Sequence, residues 1–113
     1  MTTRNILTRL IELTSNVTDA FTTALFVAQS DNRTLALREH LSLSDHINSE
    51  STVSIGHGPI GQVAESKRPW HEEFAYGAAT QLPHYTEIEE VKGVLAVPVF
   101  SKTLEGVLVV DTK

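Results

Sequence analysis

Ile55-Gly56-His57-Gly58-Pro59-Ile60-Gly61-Gln62-Val63-Ala64 is the stretch on which the fold turns. It follows the short run Ser51-Thr52-Val53-Ser54 and passes through glycine-rich backbone into a helical pattern. Glycines at 56 and 58 permit positive φ or a close backbone approach. Pro59 suits a first helical turn, and Ile60, Val63 and Ala64 form one apolar face. The residues predict a strand that turns sharply into a helix over 58–68, with Pro69 preventing its continuation. Gly56-x-Gly58-x-x-Gly61 also matches the dinucleotide fingerprint. That site needs a parallel βαβ unit, an apolar strand after the helix and an acid about 20 residues beyond the glycines. The run after the helix, Trp70-His71-Glu72-Glu73-Phe74, is a poor buried strand. The glycines are therefore expected to serve a tight turn and close helix packing, not a pyrophosphate.

Upstream, Ile6, Leu10, Leu13 and Val17 recur at helical spacing, widened by Leu7 and Ile11, and predict an amphipathic helix over 3–15. Such a stripe suits packing on a sheet or against a partner helix. Asp19–Ala28 is apolar on both faces, as in a central strand. Gln29–Thr34 has turn chemistry. Leu35, Leu37, Leu41 and Leu43 then alternate with Ala36, Arg38, His40 and Ser42, predicting an antiparallel partner with one wet face. Downstream, Gly93–Phe100 and Gly106–Val110 predict a second hairpin. Pro98 belongs at a bulge or where the neighbouring strand has ended, because it cannot donate to a ladder. Ala75–Val91 has no sustained period and reads as a long connection with at most one helical turn.

The 113 residues suit one domain, and 41% apolar with 20% charged residues is a folded composition. A net charge of −5 and no basic run longer than Lys67-Arg68 exclude a nucleic-acid surface. With no cysteine there is no disulfide, thiol catalysis or thiolate metal site. No apolar run approaches the roughly 20 residues that span a bilayer, and no uninterrupted signal-type segment opens the chain, so cytoplasmic residence is the expectation. The chain stops at Lys113 directly after a strand, which reads as a piece excised from a longer protein.

The order helix, hairpin, short strand, glycine corner, helix, variable loop, hairpin is that of an α+β domain with a single central antiparallel sheet. Here the sequence resembles the GAF domain family. Two motifs carry the resemblance. One is Ile55–Ala64 followed by Pro69. The other is Val94-Leu95-Ala96-Val97-Pro98-Val99 followed by Leu104-Glu105-Gly106-Val107-Leu108-Val109-Val110. The resemblance covers nearly all of residues 1–113 and lacks the C-terminal helix that usually follows the last strand. It implies a six-stranded antiparallel sheet with an N-terminal helix and short helices packed on one face of it and a small-molecule pocket on the other, roofed by the variable loop. Function follows as an expectation: a non-catalytic regulatory or sensor domain that binds a small ligand and relays to an output domain in cis. The alternative is a dimerisation or docking module with a vestigial pocket.

Family activities that rely on cysteine, thioether-linked tetrapyrrole binding and free-methionine-sulfoxide reduction, have no residue here to support them. The Asn-Lys-Phe-Asp-Glu constellation of cyclic-nucleotide-binding members has no counterpart downstream of the first hairpin. His40, His46, His57, His71 and His84 show no metal-ligand spacing, so no metal site is expected, and no cofactor is identified. The candidate ligand-binding residues are Trp70, His71, Phe74, Tyr76, His84 and Tyr85, which gather aromatic and imidazole groups in the segment implied to line or roof the pocket. The candidate homodimer contact is the terminal-helix stripe Ile6, Leu10, Leu13 and Val17.

Overall fold

A computed structural model describes residues 3–74, 81–100 and 102–113, with side chains from Leu7 onward. Helix α1 (Thr3–Thr18) leads into β1 (Thr22–Ala28) and β2 (Thr34–Ser42). The short β3 (Thr52–Ser54), α2 (Gly58–Ser66), β4 (Trp70–Glu73), β5 (Gly93–Phe100) and β6 (Leu104–Thr112) follow. The six strands form one sheet in the order β3-β2-β1-β6-β5-β4, antiparallel at every pairing. β1 and β6 lie at its centre because both faces of each are apolar. Trp70–Glu73, weak in strand character, takes the edge, where the exposed Glu72 and Glu73 deter further pairing.

The register divides the side chains cleanly. Ala24 and Phe26 of β1, Val107 and Val109 of β6, and Val94 and Ala96 of β5 share one face. On that face they form the main core with Ile60, Val63 and Ala64 of α2 and with Leu82, Tyr85 and Val91 of the segment before β5. Phe26 and Ile60 are almost wholly enclosed, and each such burial contributes about 1.5–3 kcal/mol. Helix α1 lies on the opposite face, over β1 and β2, where the Ser15 hydroxyl bonds Thr23 Oγ1 at 2.7 Å, so the helices do not share one face as expected: α2 has its apolar stripe on the Phe26 side and α1 packs on the Thr23 side.

Sequence periodicity placed the apolar stripe of α1 correctly on a helix but did not identify which residues face inward. Ile11 is buried and Leu7 half-buried, while Leu10, Leu13 and Val17 are 43%, 53% and 85% exposed. The side chain of Ile6 lies outside the described residues.

The leucine alternation of β2 also does not run through. The β1–β2 register shifts between Leu25 and Phe26, a bulge that leaves Arg38 without an opposite residue. Leu37 therefore pairs with Phe26 on the core side, whereas Leu41 pairs with Thr23 on the α1 side and Ser42 is brought opposite Thr22. Pro98 sits where the sequence required: β4 reaches only to Ala96, so no neighbour on that edge needs its missing N–H.

The glycine corner is tightly closed on itself. Gly56 and Gly58 have φ of 91° and 68°, and the Gly56 N–H donates to the Gly61 carbonyl at 2.8 Å. A Cβ on Gly61 would lie inside van der Waals contact of the Ser54 carbonyl oxygen. With the Gly56 and His57 amides bonded within it, this corner joins β3 to α2 in an antiparallel sheet and lacks the parallel βαβ setting that a dinucleotide site needs.

Candidate functional site

At the Ser42 end of the core face the apolar packing gives way to a buried polar network. Pairing of Thr22 with Asp111 across β1 and β6 sets these two side by side, and the β2 bulge adds Ser42 on Thr22's other flank. The segment 81–91 lies across them. It is tied to the loop after β2 by a bridge between Ile47 and Tyr85, by the Asn48 N–H donating to the His84 carbonyl (2.9 Å), and by the Thr86 N–H donating to the His46 carbonyl (2.8 Å). These ties press His84 and Tyr85 inward until they are 0% and 2% exposed.

Tyr85 Oη donates to Asp111 Oδ2 at 2.6 Å, and His84 Nε2 lies 2.9 Å from the same oxygen. A phenol has one hydrogen, so Thr22 Oγ1, 2.7 Å away, donates to Tyr85 and in turn accepts from Ser42 at 2.5 Å. The hydroxyls thus form a one-way chain, Ser42 to Thr22 to Tyr85, ending on the Asp111 carboxyl. Burial, reinforced by Asp111, pushes the Tyr85 phenol well above its ordinary value, so it remains a donor at any physiological pH. Two atoms of the network find no partner among the described residues: His84 Nδ1 and Asp111 Oδ1. The His84 ring stacks obliquely on Tyr85 at 4.2 Å and meets Phe26 edge-on at 6.3 Å.

A charged clasp closes the outside. Glu89 accepts from Ser44 Oγ at 2.6 Å and His46 Nδ1 at 3.1 Å, and pairs with Lys113 Nζ at 2.9 Å. These contacts, Ser44 foremost, hold the Glu89 carboxyl down at about 2. The same bond to Glu89, helped by Glu87 at 3.3 Å, raises His46 above the usual histidine range. Lys113 also sits over the Phe21 ring at 4.4 Å.

The candidate ligand residues are thereby divided. His84 and Tyr85 meet in the network, and Trp70 and Phe74 pack half-buried against the core. His71 pairs with Leu95 and is exposed on the α1 side. There it borders an open groove of about 700 Å³, lined also by Thr18, Phe74, Leu95, Val110 and Lys113. Tyr76 lies outside the described residues. Sequence reasoning missed Asp111, Thr22 and Ser42. Asp111 left one readable trace, a carboxylate at the inward parity of Val107 and Val109 in an otherwise apolar strand.

Ser42, His84 and Asp111 have the residue types of a hydrolytic triad but not its geometry. Ser42 bonds Thr22, and the free nitrogen of His84 has no nucleophile beside it among the described residues. No group of three His, Cys, Asp or Glu among them is arranged to hold a metal ion, and no helix among them is long and apolar enough to cross a membrane.

No family model and no curated protein matches the chain by sequence. Solved structures do match by shape. The GAF domain of a phosphoenolpyruvate-protein phosphotransferase from Acinetobacter superposes over 100% of this chain with a TM-score of 0.78 at 17% identity. The corresponding domain from Coxiella burnetii covers 96% with a TM-score of 0.74 at 21% identity. The free methionine-R-sulfoxide reductase from Neisseria meningitidis, solved with its substrate, covers 96% with a TM-score of 0.73 at 15% identity, so the same fold also serves an enzyme. The chain spans 68%, 66% and 62% of those three chains respectively. The antiparallel sheet of six strands, the helix on each face and the superposition over the whole chain together establish that this protein adopts the GAF-domain fold.

Proposed function

We propose that the chain is a non-catalytic regulatory domain that binds a small molecule on the face covered by segment 81–91 and relays its presence to an output domain in cis. The observation that carries this is the half-satisfied network of His84 and Asp111. Each buried polar atom left without a partner costs about 1–3 kcal/mol, a cost that a bound ligand removes. The segment above is fastened by loop-to-loop bonds and a surface clasp. A ligand preferring the fastened arrangement shifts the population that the rest of the protein senses. The lack of cysteine supports a role other than that of the reductases sharing the fold.

A thermal-shift screen of the purified protein against nucleotides, haem, small acids and small amines tests the proposal. Stabilisation by at least one class is expected, and none by any would refute ligand sensing.

Exposure of Leu10, Leu13 and Val17 on one flank of α1 favours a second property, homodimerisation through this helix together with Ile6. Sedimentation of the wild type against Leu10→Glu tests it. A dimer that the substitution dissociates supports the property, and an unchanged folded monomer in both samples refutes it.

A further inference from the structure

We infer that His46 is a proton-operated latch on the covering segment: as an imidazolium it holds Glu87 and Glu89 at once, and loss of one ring proton loosens segment 81–91 at Thr86. The latch goes beyond the ligand-sensing role and does not depend on what the domain binds.

The geometry sets the proton count. His46 Nδ1 lies 3.1 Å from Glu89 Oε1, and Nε2 lies 3.3 Å from Glu87 Oε1, so each ring nitrogen faces a carboxylate. A carboxylate only accepts, and a neutral imidazole has a single N–H. Only the protonated ring donates to both. In the neutral ring one nitrogen turns a lone pair toward a carboxylate oxygen. Glu89 keeps the remaining proton, because its side chain is 12% exposed against 65% for Glu87 and its oxygen is the nearer. The contact given up is therefore the one to Glu87. Glu89 has two further partners, Ser44 Oγ at 2.6 Å and Lys113 Nζ at 2.9 Å, so the segment is loosened and not set free.

His46 also grips the segment by its backbone. Its carbonyl accepts the Thr86 N–H at 2.8 Å and the Thr86 hydroxyl at 3.3 Å, and the next residue, Ile47, bridges to Tyr85. Release of Glu87 thus removes the side-chain brace directly beside the Thr86 bond. The loop is tied inward as well. Ser44 Oγ accepts the His46 N–H at 2.9 Å, and the Ser44 N–H donates at 3.0 Å to Ser42 Oγ, the first hydroxyl of the buried chain. Among the described residues the titratable groups around the ring are Glu87 and Glu89 of the segment, Asp45 of its own loop and, behind Glu89, Lys113. Three carboxylates against one ammonium favour the imidazolium. The bond to Glu89, then the charges of Glu87 and Asp45, raise His46 above its ordinary 6.5. A raised group stabilises fully below its ordinary value and loses its effect as pH rises through its folded value, so the latch is closed in mild acid and opens toward alkaline pH. His46 and Glu87 are both partly in solvent, so salt weakens the hold.

The test uses the whole chain in solution NMR. The ¹⁵N signals of the His46 ring report its protons, and amide exchange at Thr86 reports opening of the segment. Protection is compared at about pH 6 and about pH 8.5 after division by the intrinsic exchange rate, which itself rises with pH. The His46 ring is expected to titrate above 6.5 and Thr86 protection to fall several-fold in step with it, while Gly56, bonded within the glycine corner, is unmoved. High salt should shrink the fall. Glu87→Gln should lower the titration midpoint of the ring and flatten the Thr86 response. His46→Gln should leave Thr86 protection independent of pH, and should it fail to fold, the wild type and Glu87→Gln decide. A ring carrying one proton at about pH 6, or Thr86 protection that stays constant while the ring titrates, overturns the inference. An equal fall at Thr86 and Gly56 is global loosening and overturns it too.

Discussion

Replacing Tyr85 by Phe removes one hydroxyl from the centre of the network and leaves the ring in place. Two bonds are lost: the one to the Asp111 carboxyl at 2.6 Å and the one from Thr22 at 2.7 Å. A bond to a charged acceptor contributes about 1.5–3 kcal/mol and a neutral one about 0.5–1.5 kcal/mol. Thr22 recovers part of its loss by reversing toward Ser42, so the expected destabilisation is roughly 2–4 kcal/mol. Against a total of about 5–15 kcal/mol for a domain of this kind, that is a large share. At about 4 °C per kcal/mol the melting temperature should fall by roughly 8–16 °C. Urea titration of both proteins measures the difference directly, with an unchanged slope showing that the folded and unfolded states are otherwise alike. Because the Tyr85 phenol is raised above the ordinary 10.0, the folded state holds its proton longer than the unfolded one. Its stabilising effect is whole below about pH 10 and declines above it by about 1.4 kcal/mol per pH unit, a decline that Tyr85→Phe should lack. A loss under about 0.5 kcal/mol, or identical alkaline limbs, would refute the network as a stabilising unit.

The clasp makes a pH prediction with two limits. Glu89 is held below its ordinary 4.5, so its contribution is present above about that pH and is lost as pH falls toward 2. His46 is raised above its ordinary 6.5, so its contribution is present below about that pH and is lost as pH rises through its folded value. Melting of wild type and Glu89→Gln at about pH 3, 5.5 and 9 should therefore differ most at the middle value. Gly61→Ala should cost about 1–3 kcal/mol or more by urea titration, because the new methyl meets the Ser54 backbone, which cannot yield as a side chain would. Leu10→Glu should leave the melting temperature nearly unchanged while shifting sedimentation to the monomer, since Leu10 is 43% exposed and contributes little to the core.

Most of the frame was legible because its signals are local. Runs such as Val94–Val99 and Val107–Val110 need no partner to be recognised as core strands, and the glycine corner announces a turn by its backbone requirements alone. The orientation of β2 was not legible. A single bulge near Arg38 reverses the parity of every later residue, and it depends on the pairing with β1. The facing of α1 was ambiguous because Leu7 and Ile11 widen its stripe until two orientations satisfy the pattern, and the sheet selects Ile11. At the site, His84 and Tyr85 were recognised as chemistry in a variable loop. Their partners Thr22, Ser42 and Asp111 stand 63, 43 and 26 residues from Tyr85, and only strand register brings them together.

Amide hydrogen exchange with and without the most stabilising compound of the screen asks where this domain reads its ligand. If recognition belongs to segment 81–91, protection should rise first at Thr86 and Asn48, whose amides fasten that segment to the loop after β2, and at Tyr85, whose amide closes a turn within it on Leu82. The amides of Gly56 and His57, already bonded within the corner, should change little. Protection confined to Ser54–Ala64, with Tyr85 and Thr86 unaffected, would contradict this and return the glycine corner to the role of ligand cradle.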